Sequence, residues 1–522
     1  MTEELYYGPT MGQMAAQGLS AHDERPCLFL GDTVASYKQV RERTSQFIQA
    51  LAARGAGPGG PVAVLSGNRP EVLYNLAAMM IGGARGTPLH PMGSLDDHVH
   101  VCTDAGIETL VYDPAQYGER AVELKERVPS LKNLLSFGPS EGGEDYCALA
   151  DTFEPKPLVA PDMAPDEITA IAYTGGTTGK PKGVMSAARS GTAMTMIQMA
   201  EWEFPDEIRM LMATPLSHAA AAMFVPVLMK GGALYAMQGF TPAEFFGQIE
   251  EHRITCTFLV PVMIYALLDA PESKTADLSS LQTLFYGASA MNPARLAEGL
   301  RRWGPIFFQC YGQSEAPMVL SHLKKADHDP NRPERLASCG KPTPFVKLAL
   351  LDDENQPVAP GEAGEICVRG PLVMAGYHNL PEQTEQALEG GWLHTGDVGR
   401  FDEDGFLYIV DRKKDMIITG GFNVFPREVE DVIARHESVA QVAVVGVPDE
   451  NWGEAVKAVV VPRPGKTIDA AALIALVKDA KGSVNAPKTV DVVEAIPLSP
   501  VGKPDKKALR ARYWGDSARA VN

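Results

Sequence analysis

Residues 171–184 read IAYTGGTTGKPKGV. The apolar opening predicts a buried strand, and the glycines and threonines after it predict a loop. Glycine lets backbone N–H groups converge on phosphate oxygens. Thr174, Thr177 and Thr178 add hydroxyl donors, and Lys182 adds charge. A Walker loop would need GxxxxGK followed by Ser or Thr, whose hydroxyl meets Mg²⁺ at the start of a helix. Here Pro181 follows Lys180. It has no hydroxyl, and it disfavours a helical Lys180. A P-loop kinase is therefore excluded. An anion cradle of another kind remains, weighed against a plain Gly/Thr surface loop.

Outward from this stretch, strand and helix patterns alternate. Val40–Arg54 has helical spacing and ends at a Gly/Pro run (55–60), PVAVL (61–65) reads as a buried strand, Glu71–Ile81 as a helix and Ile107–Tyr112 as a strand. Arg209–Ala213, Phe224–Met229, Cys256–Val260 and Leu284–Tyr286 continue the pattern. Such alternation predicts α/β sheets covered by helices. From 338 to 410 the style changes to short strands (VKLALLD, GEICVRG, GFLYIVD) separated by turns, which predicts a small β-barrel-like unit. After the charged, exposed-looking run DRKKD (411–415), a compact α+β tail follows, with helices at Val429–Arg435 and Ala471–Lys478 and strands at Val442–Val447, Ala455–Val461 and Val490–Val493. The expected organisation is a large domain over 1–411 (α/β lobes to about 335, barrel-like unit 336–411) and a mobile α+β domain over 412–522.

The 522 residues exceed one core and fit three or four domain-sized units. A net charge of −18 argues against nucleic acid as a partner, because that affinity rests on Lys and Arg at phosphates. The opening MTEELYYGPT lacks the apolar stretch of a signal peptide, and the apolar windows 76–83 and 224–229 are far shorter than a membrane span. Cys27, Cys102, Cys147, Cys256, Cys310, Cys339 and Cys367 form no CxxC pair, which suits reduced thiols in the cytoplasm.

Seven further stretches stand in order with YTGGTTGKPKGV: TPLSHAA (214–220), YGASAM (286–291), CYGQSEAPM (310–318), GEICVRG (364–370), GWLHTGDVG (391–399), YIVDRKKDMIITGGFNVFPREVE (408–430) and PLSPVGKPDKKALR (497–510). Together they resemble the adenylate-forming superfamily, in its acyl-CoA synthetase branch. The resemblance implies a two-step ligase. A carboxylate attacks the α-phosphate of ATP to give acyl-AMP and pyrophosphate, and the CoA thiol then takes the acyl group and releases AMP.

By the same resemblance, Thr174, Gly175, Gly176, Thr177, Thr178, Gly179 and Lys182 hold the β and γ phosphates. Gly175 stands where relatives often have Ser. Gly287, Ala288 and Ser289 line the adenine and the acyl pocket, Tyr311 packs on the adenine beside Gly312 and Gln313, and Ser314 contacts the α-phosphate. Glu315, with Thr174, is the implied Mg²⁺ site, since carboxylate suits that hard ion. Alone, Glu315 would read as a surface carboxylate. Asp397 matches the ribose ligand, because two adjacent acceptors fit two adjacent hydroxyls, and Arg412 joins it. Lys414 takes the hinge position, Gly420 and Gly421 line the pantetheine tunnel, and His218 gates the thiol path. Lys503 is the implied catalytic lysine; without the motif it would be one more lysine in a solvated basic run.

The implied acyl pocket (Ala219, Met223, Met263, Cys310, Met318) is apolar, so the acid is expected to be a fatty or aryl acid. ATP, Mg²⁺ and CoA are the implied cofactors and co-substrate, a small carboxylic acid the partner, and a homodimer a prior from relatives. The alternative acceptor is an amine or a carrier-protein phosphopantetheine thiol, and a luciferase-like oxygenation is a third reading. Asp96, Asp97, His98 and His100 look like metal ligands but are expected at an exposed helix start.

Overall fold

The computed structural model describes residues 7–174, 181–216, 219–412, 415–419, 422–449, 452–498 and 504–514. Gly175, Gly176, Thr177, Thr178, Gly179, His218, Lys414, Gly420, Gly421 and Lys503 lie outside them, as does the side chain of Ala219.

Two mixed sheets dominate. One is eight-stranded among the described residues, in the order 376–377, 182–187, 168–174, 85–88, 61–65, 109–112, 133–136 and 144–145. The other is nine-stranded, in the order 341–342, 316–323, 307–313, 283–286, 256–259, 209–212, 233–236, 26–30 and 33–36. Their central strands are parallel, as strand–helix alternation requires. The helices begin where the chain signals it. Ser36 and Gln39 form a capping box at the helix Tyr37–Ala53. Pro70 opens the helix Pro70–Gly82, and Gly83, at φ 73°, closes it.

In the nine-stranded sheet the period of two sorts the side chains. Phe258, Phe285, Phe308 and Cys310 enter the main core, while Leu259, Leu284, Tyr286 and Phe307 enter a second core on the opposite face. The barrel-like unit is a four-stranded antiparallel sheet, in the order 347–351, 364–369, 393–401 and 407–412. In the tail, the long hairpin Val439–Asp449/Gly453–Pro462 carries the helices Pro426–Ile433 and Ala470–Lys481 on one face and the helix Lys506–Trp514 on the other.

Phe224–Met229, within the alternating pattern, is a helix with a buried Phe224–Leu228 run. Two expectations change. The exposed reading of DRKKD fails at Asp411, which is 5% exposed. Its Oδ2 accepts from the Arg427 backbone N at 2.8 Å, at the start of the helix Pro426–Ile433. His98 is likewise buried rather than exposed at its helix start. It donates from Nε2 to His90 O at 2.9 Å and accepts from Arg120 at 3.1 Å. Asp96 pairs with Arg127, and Asp97 closes a capping box with Ser94. No helix of the described residues is long and apolar enough to cross a membrane.

Candidate active site

The strand Phe307–Gln313 turns back into Ala316–Leu323, with Gln313 opposite Ala316. Gly312 makes the turn possible, because a Cβ there would sit 2.2 Å from Met318 N. Ser314 is exposed and Glu315 half-buried in this turn. One step before it, Tyr311 Oη donates to Asp397 Oδ2 at 2.7 Å. Burial first, then the Asp397 charge, pushes the Tyr311 hydroxyl well above its usual range, so it stays a donor.

Asp397 lies 3% exposed on the strand Leu393–Phe401, directly opposite Arg412. Arg412 Nε reaches Asp397 Oδ1 at 3.0 Å. The approach to Asp397 is also fixed. Its backbone N donates to Thr395 Oγ1, Thr395 Oγ1 donates to Ile366 O, and Gly396 N donates to Glu365 Oε1. The structure thus gathers Tyr311, Asp397 and Arg412 from three strands of two sheets.

At the glycine loop, Thr174 pairs with Lys182 and Tyr173 with Gly183 across an antiparallel ladder that brings its two ends together. Tyr173 Oη donates to Asp104 Oδ2 at 2.5 Å. Beyond the loop, His100 Nε2 donates to Pro181 O at 3.1 Å. Both ends of the loop are therefore tied to one helix, Leu95–Asp104. His378 and Asn379 brace that helix at Asp104, at 3.0 and 3.1 Å. Tyr377 donates to Glu315 Oε1 at 2.8 Å, and its ring centroid lies 5.4 Å from Lys182 Nζ. Sequence reasoning missed Asp104, His378 and Tyr377. These side chains touch the motifs only through tertiary contact, and neighbours in sequence give no sign of it.

Gly287 follows the buried strand Thr283–Tyr286, and a Cβ on it would meet Cys310 O at 2.5 Å and Sγ at 2.8 Å. Ala288 takes φ 67°, costly for a residue with a Cβ, and stands exposed with Ser289. Burial pushes the Cys310 thiol up to about 12, so it is an inert apolar group. Met223 and Cys310 are buried in the main core and Met318 packs against it, whereas Met263 packs on the second core. The proposed lining thus comes from both faces of the nine-stranded sheet.

Glu315 fits a hard cation. Tyr377 occupies one carboxylate oxygen, and Oε2 takes no hydrogen bond from the described residues. A different group, Glu365, Cys367 and His394, brings three ligand-type atoms within 4.8 Å of one another across the strands Gly364–Arg369 and Leu393–Phe401. There His394 Nδ1 lies 3.1 Å from Glu365 Oε2 and 3.4 Å from Cys367 Sγ.

Residues 16–378 match the family model of the AMP-binding enzymes, and residues 428–503 match the model of the AMP-binding enzyme C-terminal domain. The chain belongs to the AMP-binding enzyme family. Within this adenylate-forming family it falls in the acyl-CoA synthetase branch. It is 56% identical to a medium/long-chain-fatty-acid–CoA ligase of Mycobacterium tuberculosis, over 99% of this chain and 93% of the relative. A feruloyl-CoA synthase of Amycolatopsis is 36% identical over 92% of this chain and 95% of its own. Among solved structures, the amide bond synthetase McbA of Marinactinospora thermotolerans superposes with a TM-score of 0.89 at 34% identity, covering 97% of this chain and all of that one.

Proposed function

We propose that the protein is an AMP-forming acyl-CoA synthetase for medium- to long-chain fatty acids. The observation that carries this reading is the Tyr311–Asp397–Arg412 group beside Glu315, in a chain 56% identical to a fatty-acid–CoA ligase. Asp397 would accept both ribose hydroxyls, with Arg412 and Tyr311 holding its two oxygens in place. Tyr311 would stack on adenine, against the Gly287–Ser289 turn. Thr174, Lys182 and the loop between them would hold the β and γ phosphates. Ser314 would meet the α-phosphate, and Mg²⁺ on Glu315 and Thr174 would neutralise charge developing on the phosphates. Lys503 would bridge the acid carboxylate and the α-phosphate.

In the first step the carboxylate oxygen bonds to the α-phosphorus and the bond to pyrophosphate breaks. In the second the CoA sulfur bonds to the acyl carbon, AMP leaves, and the thiol proton passes to solvent. The mobile domain would begin at Arg412, after the large domain of residues 1–411, with Lys414 as the hinge between the two steps. Gly420 and Gly421 would line the thiol path, which His218 would gate.

The acid is argued from the apolar lining, in which Met223, Met263, Cys310 and Met318 carry no charge to pair an amine. Pyrophosphate release across a panel of acids of increasing chain length tests it. Medium and long chains are expected to turn over fastest with CoA as acceptor. Turnover confined to aryl acids would replace the substrate assignment. Amide formation from supplied amines without any thioester would replace the acceptor, in line with the 34% identical amide bond synthetase.

A further inference from the structure

Glu315 lies in a turn of the nine-stranded sheet and Lys182 on a strand of the eight-stranded one, and the Tyr377 side chain meets both. Tyr377 lies on the two-residue edge strand Gly376–Tyr377, which pairs with Val184 and Met185 of the strand carrying Lys182. Its hydroxyl donates to Glu315 Oε1 at 2.8 Å, and the Lys182 ammonium lies 5.4 Å from its ring centroid. The same segment holds Glu315 a second time, because Met374 N donates to Glu315 O at 2.8 Å.

The mounting is itself fixed. Tyr377 N donates to Thr384 Oγ1 at 2.8 Å. Gly376, at φ 145°, lets the helix Pro381–Ala387 close on the strand, since a Cβ there would lie 2.6 Å from Thr384 Cγ2.

We propose that Tyr377 is a positioning residue that aims Glu315 at the metal and sets Lys182 at the phosphates, so that cation and nucleotide are held in register. This rests on the reading of Glu315 as the metal carboxylate. Hydrogen bonds to a ligating carboxylate orient it and tune the ion's affinity. By occupying Oε1, the hydroxyl presents Oε2. The ring face meanwhile offers the ammonium a second, weaker restraint.

The test uses Mn²⁺ as a paramagnetic probe of the full-length enzyme with ATP, scored by electron paramagnetic resonance, with AMP affinity measured separately without metal. Tyr377→Phe removes the hydroxyl and keeps the ring. It is expected to weaken Mn²⁺ in the enzyme–ATP complex by about 10-fold while leaving AMP affinity unchanged. Tyr377→Leu removes the ring as well and is expected to weaken ATP itself by a further few-fold. Glu315→Gln separates the two claims. If Glu315→Gln leaves Mn²⁺ affinity intact, the metal role of Glu315 falls. If Glu315→Gln weakens Mn²⁺ but Tyr377→Phe matches the wild type, the positioning role falls. Parallel loss of AMP and Mn²⁺ affinity in Tyr377→Phe, with a lowered melting temperature, would mark a purely structural residue and also overturn the proposal.

Discussion

The nucleotide side and the acyl side of the site are built by opposite means. Around Asp397 each contact is a directed hydrogen bond or ion pair, with Tyr311, Arg412 and Thr395 all meeting one residue. Around Cys310 the packing is apolar, with Met223 in the same main core and Met318 against it. Directed groups tolerate little change in chemistry, because a buried partner left unpaired costs its full desolvation. Apolar walls tolerate change in chemistry but answer to volume. One side should therefore control whether the reaction runs, and the other which acid enters.

Four substitutions, with Tyr377 as a fifth, press on that contrast, from the largest effect down. Lys503→Ala should lower acyl-AMP formation by about 10²–10³-fold while leaving thioester formation from supplied acyl-AMP largely intact. Equal loss of both half-reactions, measured by pyrophosphate release and by thioester yield, would remove the assigned role. Asp397→Asn leaves Arg412 without its carboxylate and should raise the KM for ATP by roughly 100-fold, with the order of preference among acids unchanged. A reordered acid panel in that variant would break the contrast. Cys310→Leu adds volume under Gly287, where no room for a Cβ exists. It should shift preference toward shorter or narrower acids by about 10-fold in relative kcat/KM, with a smaller rise in the KM for ATP because Gly287 also borders the proposed adenine position.

The smallest effect on turnover is expected at Asp411. Burial raises its carboxyl from the usual value to about 6, although Lys506 and the Arg427 and Arg412 backbone N–H groups pull the other way. A carboxyl whose folded value lies above its unfolded value of about 3.9 stabilises the fold in its protonated form. That contribution is full below about pH 4 and is lost as pH rises through about 6. Asp411→Asn keeps an acceptor for the backbone and should remove this dependence, on the order of 2–3 kcal/mol between the two limits. Urea midpoints of both proteins at pH 4, 5, 6 and 7 read it; parallel curves would show that Asp411 does not titrate in this window.

The run DRKKD shows where sequence reading stops. Five charged residues in a row imply solvation, yet Asp411 is buried and Asp415 pairs with Arg510 at 2.7 Å. Lys506, in the basic run that also read as solvated, pairs with Glu430 at 2.8 Å. Each opposite charge comes from a distant part of the chain, so the pairing leaves no local pattern.

From the chain alone came the alternating elements, because period-two and helical apolar spacing are local properties of the backbone. The motif set also followed from the chain alone, since its glycines and carboxylates sit at short fixed spacings. Pro181 already excluded a Walker loop. Only the tertiary structure gave Tyr311 and Arg412 one carboxylate oxygen each of Asp397. Only it hung both ends of the glycine loop on the helix Leu95–Asp104, and only it laid Tyr377 between Glu315 and Lys182. Those contacts join residues far apart in sequence, and long-range side-chain geometry exists only once the sheets have packed.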